Sequence, residues 1–276
     1  MLISQAFTSY AQDVIAFKGQ SFKTEENHYT AARSLISFVN DIAIEDLSFH
    51  QIRDWKLYLD AKCSLATARN YVIKLRVVLS HFKSQGLAVL DPETIPVPKR
   101  ADKVPSYLSK EEVAQCISAT RRLKNKCVIA CLYASGVRVS ELCSLNQGDI
   151  HDGRFTVVGK GGRARLCFLD LRATTLLDAY LSQREDNNPA LFLNDHGTRI
   201  TPGCIQETFK SVRKQLGLNV HPHTLRHSFA TNLLETNTNL YHVSQMLGHR
   251  QLNTTAAYLH VVDSNLQAVY EAHHTV

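Results

Sequence analysis

The residues most able to do chemistry lie in the second half of the chain. His223 and Arg226 stand three apart in H-P-H-T-L-R-H-S-F-A-T, and on a helix that spacing puts both side chains on one face. Arg138 opens a helix in A-S-G-V-R-V-S-E-L, where Glu141, three residues on, can hold its guanidinium in place. Lys160 sits in G-K-G-G between two β-rich runs, at the tip of a hairpin from which an ammonium can swing toward a ligand. His249 follows Gly248, and Tyr258 comes nine residues after it in L-G-H-R-Q-L-N-T-T-A-A-Y. Taken as a set, these side chains can hold a phosphodiester between guanidinium forks and imidazoles. The lysine can give a proton to a leaving 5′ oxygen, and the phenol can attack phosphorus. Each member also has an ordinary explanation, such as an Arg138–Glu141 ion pair or a solubilising lysine, so the inference rests on all six together.

Positioning such a set requires a scaffold, and the sequence predicts one that is mainly α. Residues 2–18, 24–39, 48–60 and 66–85 show helical apolar spacing or good helix formers, which predicts a small N-terminal helical bundle. The last of these segments repeats Leu65, Ala68, Val72, Leu75, Leu79 and Phe82 at intervals of three and four, a narrow apolar seam. Beside it, Arg69, Arg76 and Lys83 recur every seven residues, and residues 61–90 carry five basic and no acidic side chains. That stripe is a candidate contact for a phosphate-rich partner, with a solvated face as the alternative. Four of the seven prolines fall in residues 91–105, which reads as an extended linker at 91–106 between domains 1–90 and 107–276.

Beyond the linker, Ser109 and Glu112 form an S-x-x-E capping box that opens a helix to about residue 120. A second helix runs to Ser135-Gly136, and residues 154–169 read as a small antiparallel hairpin. Helices follow at about 171–184, 202–216, 222–236 and 239–247, with a tail helix near 263–272. The second domain is therefore mostly helical around one small sheet.

Bulk properties set the outer limits. The net charge is +6, all of it from residues 96–276, where 21 Lys/Arg face 15 Asp/Glu. That balance suits a polyanionic partner without requiring one. No stretch is apolar enough to span a membrane and the N-terminal residues do not form a signal peptide, so a cytoplasmic location is expected. Seven cysteines without a C-x-x-C pair imply a reducing compartment. Cys127 and Cys131, four apart on a helix, read as small core residues and not as metal ligands. No metal or other cofactor is expected.

In G-V-R-V-S-E-L, the G-K-G turn, H-T-L-R-H-S-F-A-T and L-G-H…T-T-x-x-Y, taken in that order, the chain resembles the tyrosine recombinases of the phage integrase and Xer type. The resemblance spans both domains. It implies that Arg138 and Arg226 clamp the scissile phosphate, Lys160 and His223 perform acid–base chemistry, His249 bonds a phosphate oxygen and Tyr258 is the nucleophile. Glu141 matches the acidic position behind the first arginine. The implied fold is a SAM-like core-binding domain followed by the DNA breaking–rejoining catalytic domain, closing as a C-shaped clamp on duplex DNA. The implied reaction passes through a 3′-phosphotyrosine and a Holliday junction, needs neither metal nor ATP, and is carried out by a homo-tetramer on two DNA sites. A related recombinase or an accessory protein could join it, and the tail would dock on a neighbouring protomer or on its own domain.

The chemistry agrees with these roles. A phenol with a pKa near 10 attacks poorly until cations and a base stabilise its phenolate, and two fixed guanidiniums can balance the charge that grows in a pentacoordinate transition state. Because the phosphotyrosyl ester conserves the energy of the broken bond, a 5′-hydroxyl can reverse the step. Two alternatives share part of the set: a type IB topoisomerase-like nicking–closing enzyme, and a catalytically silent DNA-binding protein, which would need neither Tyr258 nor Lys160.

Overall fold

The structure, a computed structural model, describes residues 1–18, 22–98, 106–159, 162–236 and 238–248. The expected tail helix and the second half of the expected linker lie outside these residues. The chain divides into two compact units, Met1–Asp102 and Lys103–Val276, each with its own core.

The first unit contains α1 (Ile3–Lys18), α2 (Phe22–Val39), α3 (Phe49–Lys62) and α4 (Leu65–Ser84). Local side chains set the helix starts. Ser48 accepts from the Gln51 amide while Gln51 Oε1 accepts from the Ser48 amide, a complete capping box at α3. Ser64 caps α4 in the simpler way, accepting from the Thr67 amide. The seam read from the sequence is buried along most of α4: Ala68, Val72, Leu75, Leu79 and Phe82 join Trp55 in the core, whereas Leu65 at its start stays exposed. Truncating Leu75 or Leu79, both fully buried, to alanine would cost about 2–5 kcal/mol through lost transfer energy and the cavity left behind.

From residue 91 the chain departs from an extended linker. Asp91 caps a one-turn 3-10 segment at Pro92–Thr94, and Ile95 is 2% exposed within the first unit's core. The prolines forbid an α-helix here, but Ile95 supplies an apolar anchor that holds residues 91–98 against α4.

The second unit contains α5 (Lys110–Ala119), α6 (Leu123–Ser135), α7 (Val139–Ser144), β1 (Arg154–Val158), β2 (Ala164–Phe168), α8 (Leu171–Leu181), α9 (Pro202–Leu216), α10 (Pro222–Glu235) and α11 (Leu240–Leu247). The mostly helical composition with one two-stranded antiparallel sheet agrees with the sequence-based fold class. The Ser109–Glu112 capping box opens α5, and Thr201 with Pro202 opens α9. The central helix α6 is buried over Cys127–Leu132 and packs against α5, α8 and α10. Cys127 and Cys131 place their Sγ atoms 3.8 Å apart inside that core, and all seven cysteines are free thiols. Among the described residues no helix is long and apolar enough to cross a membrane.

Two left-handed glycines end helices that lead into the candidate site. Gly136 closes α6 at φ 59°, and a Cβ there would stand 2.5 Å from Phe229 Cδ1, so both the turn and the close packing exclude a side chain. Gly248 closes α11 at φ 65°.

Candidate active site

Arg138 is the residue from which α7 starts. Its amide donates to Glu141 Oε2 at 2.7 Å and its guanidinium to Glu141 Oε1 at 2.8 Å, so one carboxylate both caps the helix and aims the side chain. The Arg138 side chain keeps 31% of its surface exposed, whereas that of Glu141 keeps 8%. Burial pushes the Glu141 carboxyl up. Hydrogen bonds from Arg165, the Arg138 amide and the Arg138 guanidinium outweigh that and hold it at about 2.

Arg165 is the residue that the sequence reading did not single out. It lies on β2 with its Nη1 and Nη2 donating to the two Glu141 oxygens at 3.0 and 2.6 Å, and its Nε donating to the Met246 carbonyl at 3.0 Å. The signal that could have found it is weak. Strand alternation on β2 buries Arg165 and Cys167 and leaves Leu166 and Phe168 exposed, the reverse of what hydrophobicity suggests. Glu141, 24 residues earlier in sequence, and the Met246 carbonyl make the inward arginine tolerable.

Arg226 is 6% exposed. Its Nη1 donates to the Gly136 carbonyl and its Nη2 to the Leu247 carbonyl. The last carbonyls of α11 at Met246 and Leu247 are thus gripped by two guanidiniums, at the helix end where cations are favoured. His223, at the exposed second position of α10, feels both arginines. Burial and then the charges of Arg226 and Arg138 lower its pKa from the ordinary 6.5, so the imidazole is neutral at pH 7. His227, one turn further along α10, is half-buried, and its pKa is lowered by burial and then by His223 and Arg226.

The hairpin turn closes over this group. The Gly159 amide donates to the Arg163 carbonyl at 2.8 Å. A Cβ at Gly159 would lie 3.3 Å from Arg165 Nη1 and 3.7 Å from Arg138 Nη1. The backbone just before Lys160 therefore passes beside the Arg138 guanidinium. Lys160, His249 and Tyr258 themselves lie outside the described residues. The described part of the site brings together Arg138, Glu141, His223 and Arg226, and adds Arg165. A cavity of about 730 Å³ is lined by His223 together with Gln206, Lys210 and Arg213 of α9 and with His221 and His227. Among the described residues no group of three or more His, Cys, Asp or Glu could hold a metal ion.

On α4 of the first unit, the cations of the stripe have partners of their own. Arg69 Nε donates to the Pro98 carbonyl at 2.9 Å, Arg76 pairs with Glu93 at 2.8 Å and Lys83 pairs with Asp91 at 2.8 Å. In this structure the stripe's cations fasten residues 91–98. The acid-free run ends at residue 90, and the acids that answer it begin at the next position.

Comparison with known proteins agrees with the motifs. Residues 106–265 match the phage integrase family and residues 6–95 match the phage integrase SAM-like domain. Tyrosine recombinase XerD of Oceanobacillus iheyensis is 36% identical over 227 residues, covering 76% of each chain. Tyrosine recombinase XerC of Pseudomonas syringae pv. tomato is 32% identical, covering 88% of this chain and 84% of its own. Among solved structures, a lambda integrase dimer bound to a COC′ core site has the same fold at a TM-score of 0.78 and 18% identity, covering 92% of this chain and 97% of that one. A XerH recombinase bound to palindromic difH substrate gives 0.72 and 22%, covering 96% of this chain and 83% of that one. The chain belongs to the phage integrase family and is a tyrosine-type site-specific recombinase, an enzyme that cleaves and rejoins DNA.

Proposed function

We propose that Arg138 and Arg226 hold the scissile phosphate of a double-stranded DNA site while Tyr258 attacks it. The Tyr258 phenol oxygen forms a bond to phosphorus and gives its proton to a base, for which neutral His223 is suited. The bond to the 5′ oxygen breaks, that oxygen keeps the electron pair, and Lys160 supplies its proton. His249 donates to a non-bridging oxygen. The product is a 3′-phosphotyrosine and a free 5′-hydroxyl. Attack by the 5′-hydroxyl of another strand reverses the step, and two such exchanges pass through a Holliday junction.

One observation carries this reading: Arg138, His223 and Arg226, which are up to 88 positions apart in sequence, converge at the ends of α6, α7 and α11. Burial and then the charges of Arg226 and Arg138 lower the pKa of His223, and arrival of a phosphate offsets those charges and raises its affinity for a proton as the phenol loses one. In this reading the chain acts as a homo-tetramer on two sites in the cytoplasm. The test is a suicide duplex incubated with the full chain and resolved on a denaturing gel. A covalent adduct is expected from the parent and none from Tyr258→Phe, which should still bind the duplex; an adduct persisting in that variant would overturn the assignment.

A further inference from the structure

We infer that Arg165 is a positioning residue for cleavage, tying the aim of Arg138 to the place where the chain leaves α11 toward His249 and Tyr258. The inference rests on the functional reading above. Among the described residues it is Glu141 that accepts from the Arg138 guanidinium, and its carboxylate is shared: each oxygen also accepts from Arg165. The third Arg165 contact, from Nε to the Met246 carbonyl, lies at the C-terminal end of α11, three residues before His249. The Arg165 stem also fills the space beside Gly248, where a Cβ would meet Arg165 Cδ at 2.9 Å. Arg165 itself stands on β2, five residues after Lys160. One buried fork therefore joins α7, which Arg138 opens, to β2 and to the end of α11.

A fork of this kind fixes angles as well as charge. A lysine at 165 keeps the positive charge, but one ammonium on a flexible stem cannot span both carboxylate oxygens and a carbonyl in the same plane. Glu141 would then be free to turn, and Arg138 would turn with it. The loss should appear where Arg138 is needed, in balancing the negative charge of the phosphate.

That dependence supplies the experiment. The full-length chain first selects a duplex from a randomised pool, and that duplex is made as a nicked suicide substrate with either an ordinary phosphodiester or a methylphosphonate at the scissile position. The methylphosphonate lacks one negative charge and so leans less on the clamp. Arg165→Lys should cleave the phosphodiester about tenfold to a hundredfold more slowly than the parent, with binding retained. On the methylphosphonate its gap from the parent should shrink to about threefold or less, as it should for Arg138→Ala, because both defects act on phosphate charge. A core truncation at Leu142, which is buried beside Glu141, serves as the merely structural control and should slow both substrates alike. Should Arg165→Lys prove poorly folded, the double variant Glu141→Gln with Arg165→Gln replaces the buried ion pair by a neutral amide pair and should show the same substrate dependence. Equal slowing on both substrates, or no slowing, would overturn the positioning role. Failure of the parent to form an adduct on its selected duplex would instead overturn the catalytic reading, and the positioning role with it.

Discussion

Two sets of cations in this molecule carry similar sequence signatures and do different work. On α4, Arg69, Arg76 and Lys83 form a regular stripe whose partners are one carbonyl and two surface carboxylates. In the second unit, Arg138, Arg165 and Arg226 come from three separate elements, and the latter two are nearly buried. Surface pairs of the first kind are screened by water and salt and fix geometry weakly. Buried forks of the second kind cannot lose a partner without leaving a charge or a carbonyl stranded, so they hold angles to the tolerance that phosphoryl transfer needs. Regular spacing along one helix therefore says less about a catalytic cation than a convergence of buried guanidiniums does.

The largest effect that could break this comparison is at Arg226. Arg226→Ala removes a clamp residue and strands the Gly136 and Leu247 carbonyls, so cleavage should fall by about 10²-fold or more. Thermal unfolding should also shift downward, by the order of 1–3 kcal/mol for each unsatisfied carbonyl. A stable variant with unchanged cleavage would remove Arg226 from the clamp.

Next in size is Glu141→Gln. Removing one partner of a nearly dry ion pair should cost on the order of 3 kcal/mol at pH 7 and slow cleavage through Arg138. The sign of its pH dependence follows from the carboxyl being held at about 2 against an ordinary 4.5. Its stabilisation is complete above 4.5 and is lost as pH falls toward 2, so the stability gap between parent and variant should close across that window. A gap of constant size from pH 7 to pH 2 would show that the pair contributes no charge-dependent stability.

The smallest effect is expected at the stripe. Replacing Arg69, Arg76 and Lys83 by alanine should speed amide exchange in residues 91–98 while leaving the log–log salt slope of DNA binding within about one unit of the parent. Three lost phosphate contacts would instead lower that slope by about 2.7, and such a drop would return the stripe to the DNA interface.

Much of the fold was legible because its signals are local. Ser48 with Gln51, Ser109 with Glu112, Thr201 with Pro202, and the terminating Gly136 and Gly248 mark helix ends within four residues of chain, and the α4 seam follows helical periodicity. Residues 91–98 were less legible because three prolines mask a single apolar anchor, Ile95. In the site, the types and spacing of Arg138, Glu141, His223 and Arg226 were readable as motifs. The burial of Arg226 and the role of Arg165 were not, since both depend on carbonyls and a carboxylate supplied from distant segments. The partners of the stripe were hard to read for a related reason: its counter-charges, Asp91 and Glu93, lie just past the helix and fold back on it.

The central claim is that Tyr258 becomes the covalent carrier of the cleaved strand. Its most direct test is mass spectrometry of the trapped adduct after digestion of protein and DNA. The account predicts a nucleotide joined through its 3′-phosphate to the peptide containing Tyr258, with the other strand end a free 5′-hydroxyl; a 5′-phosphate linkage, or a nucleotide on any other residue, would contradict it.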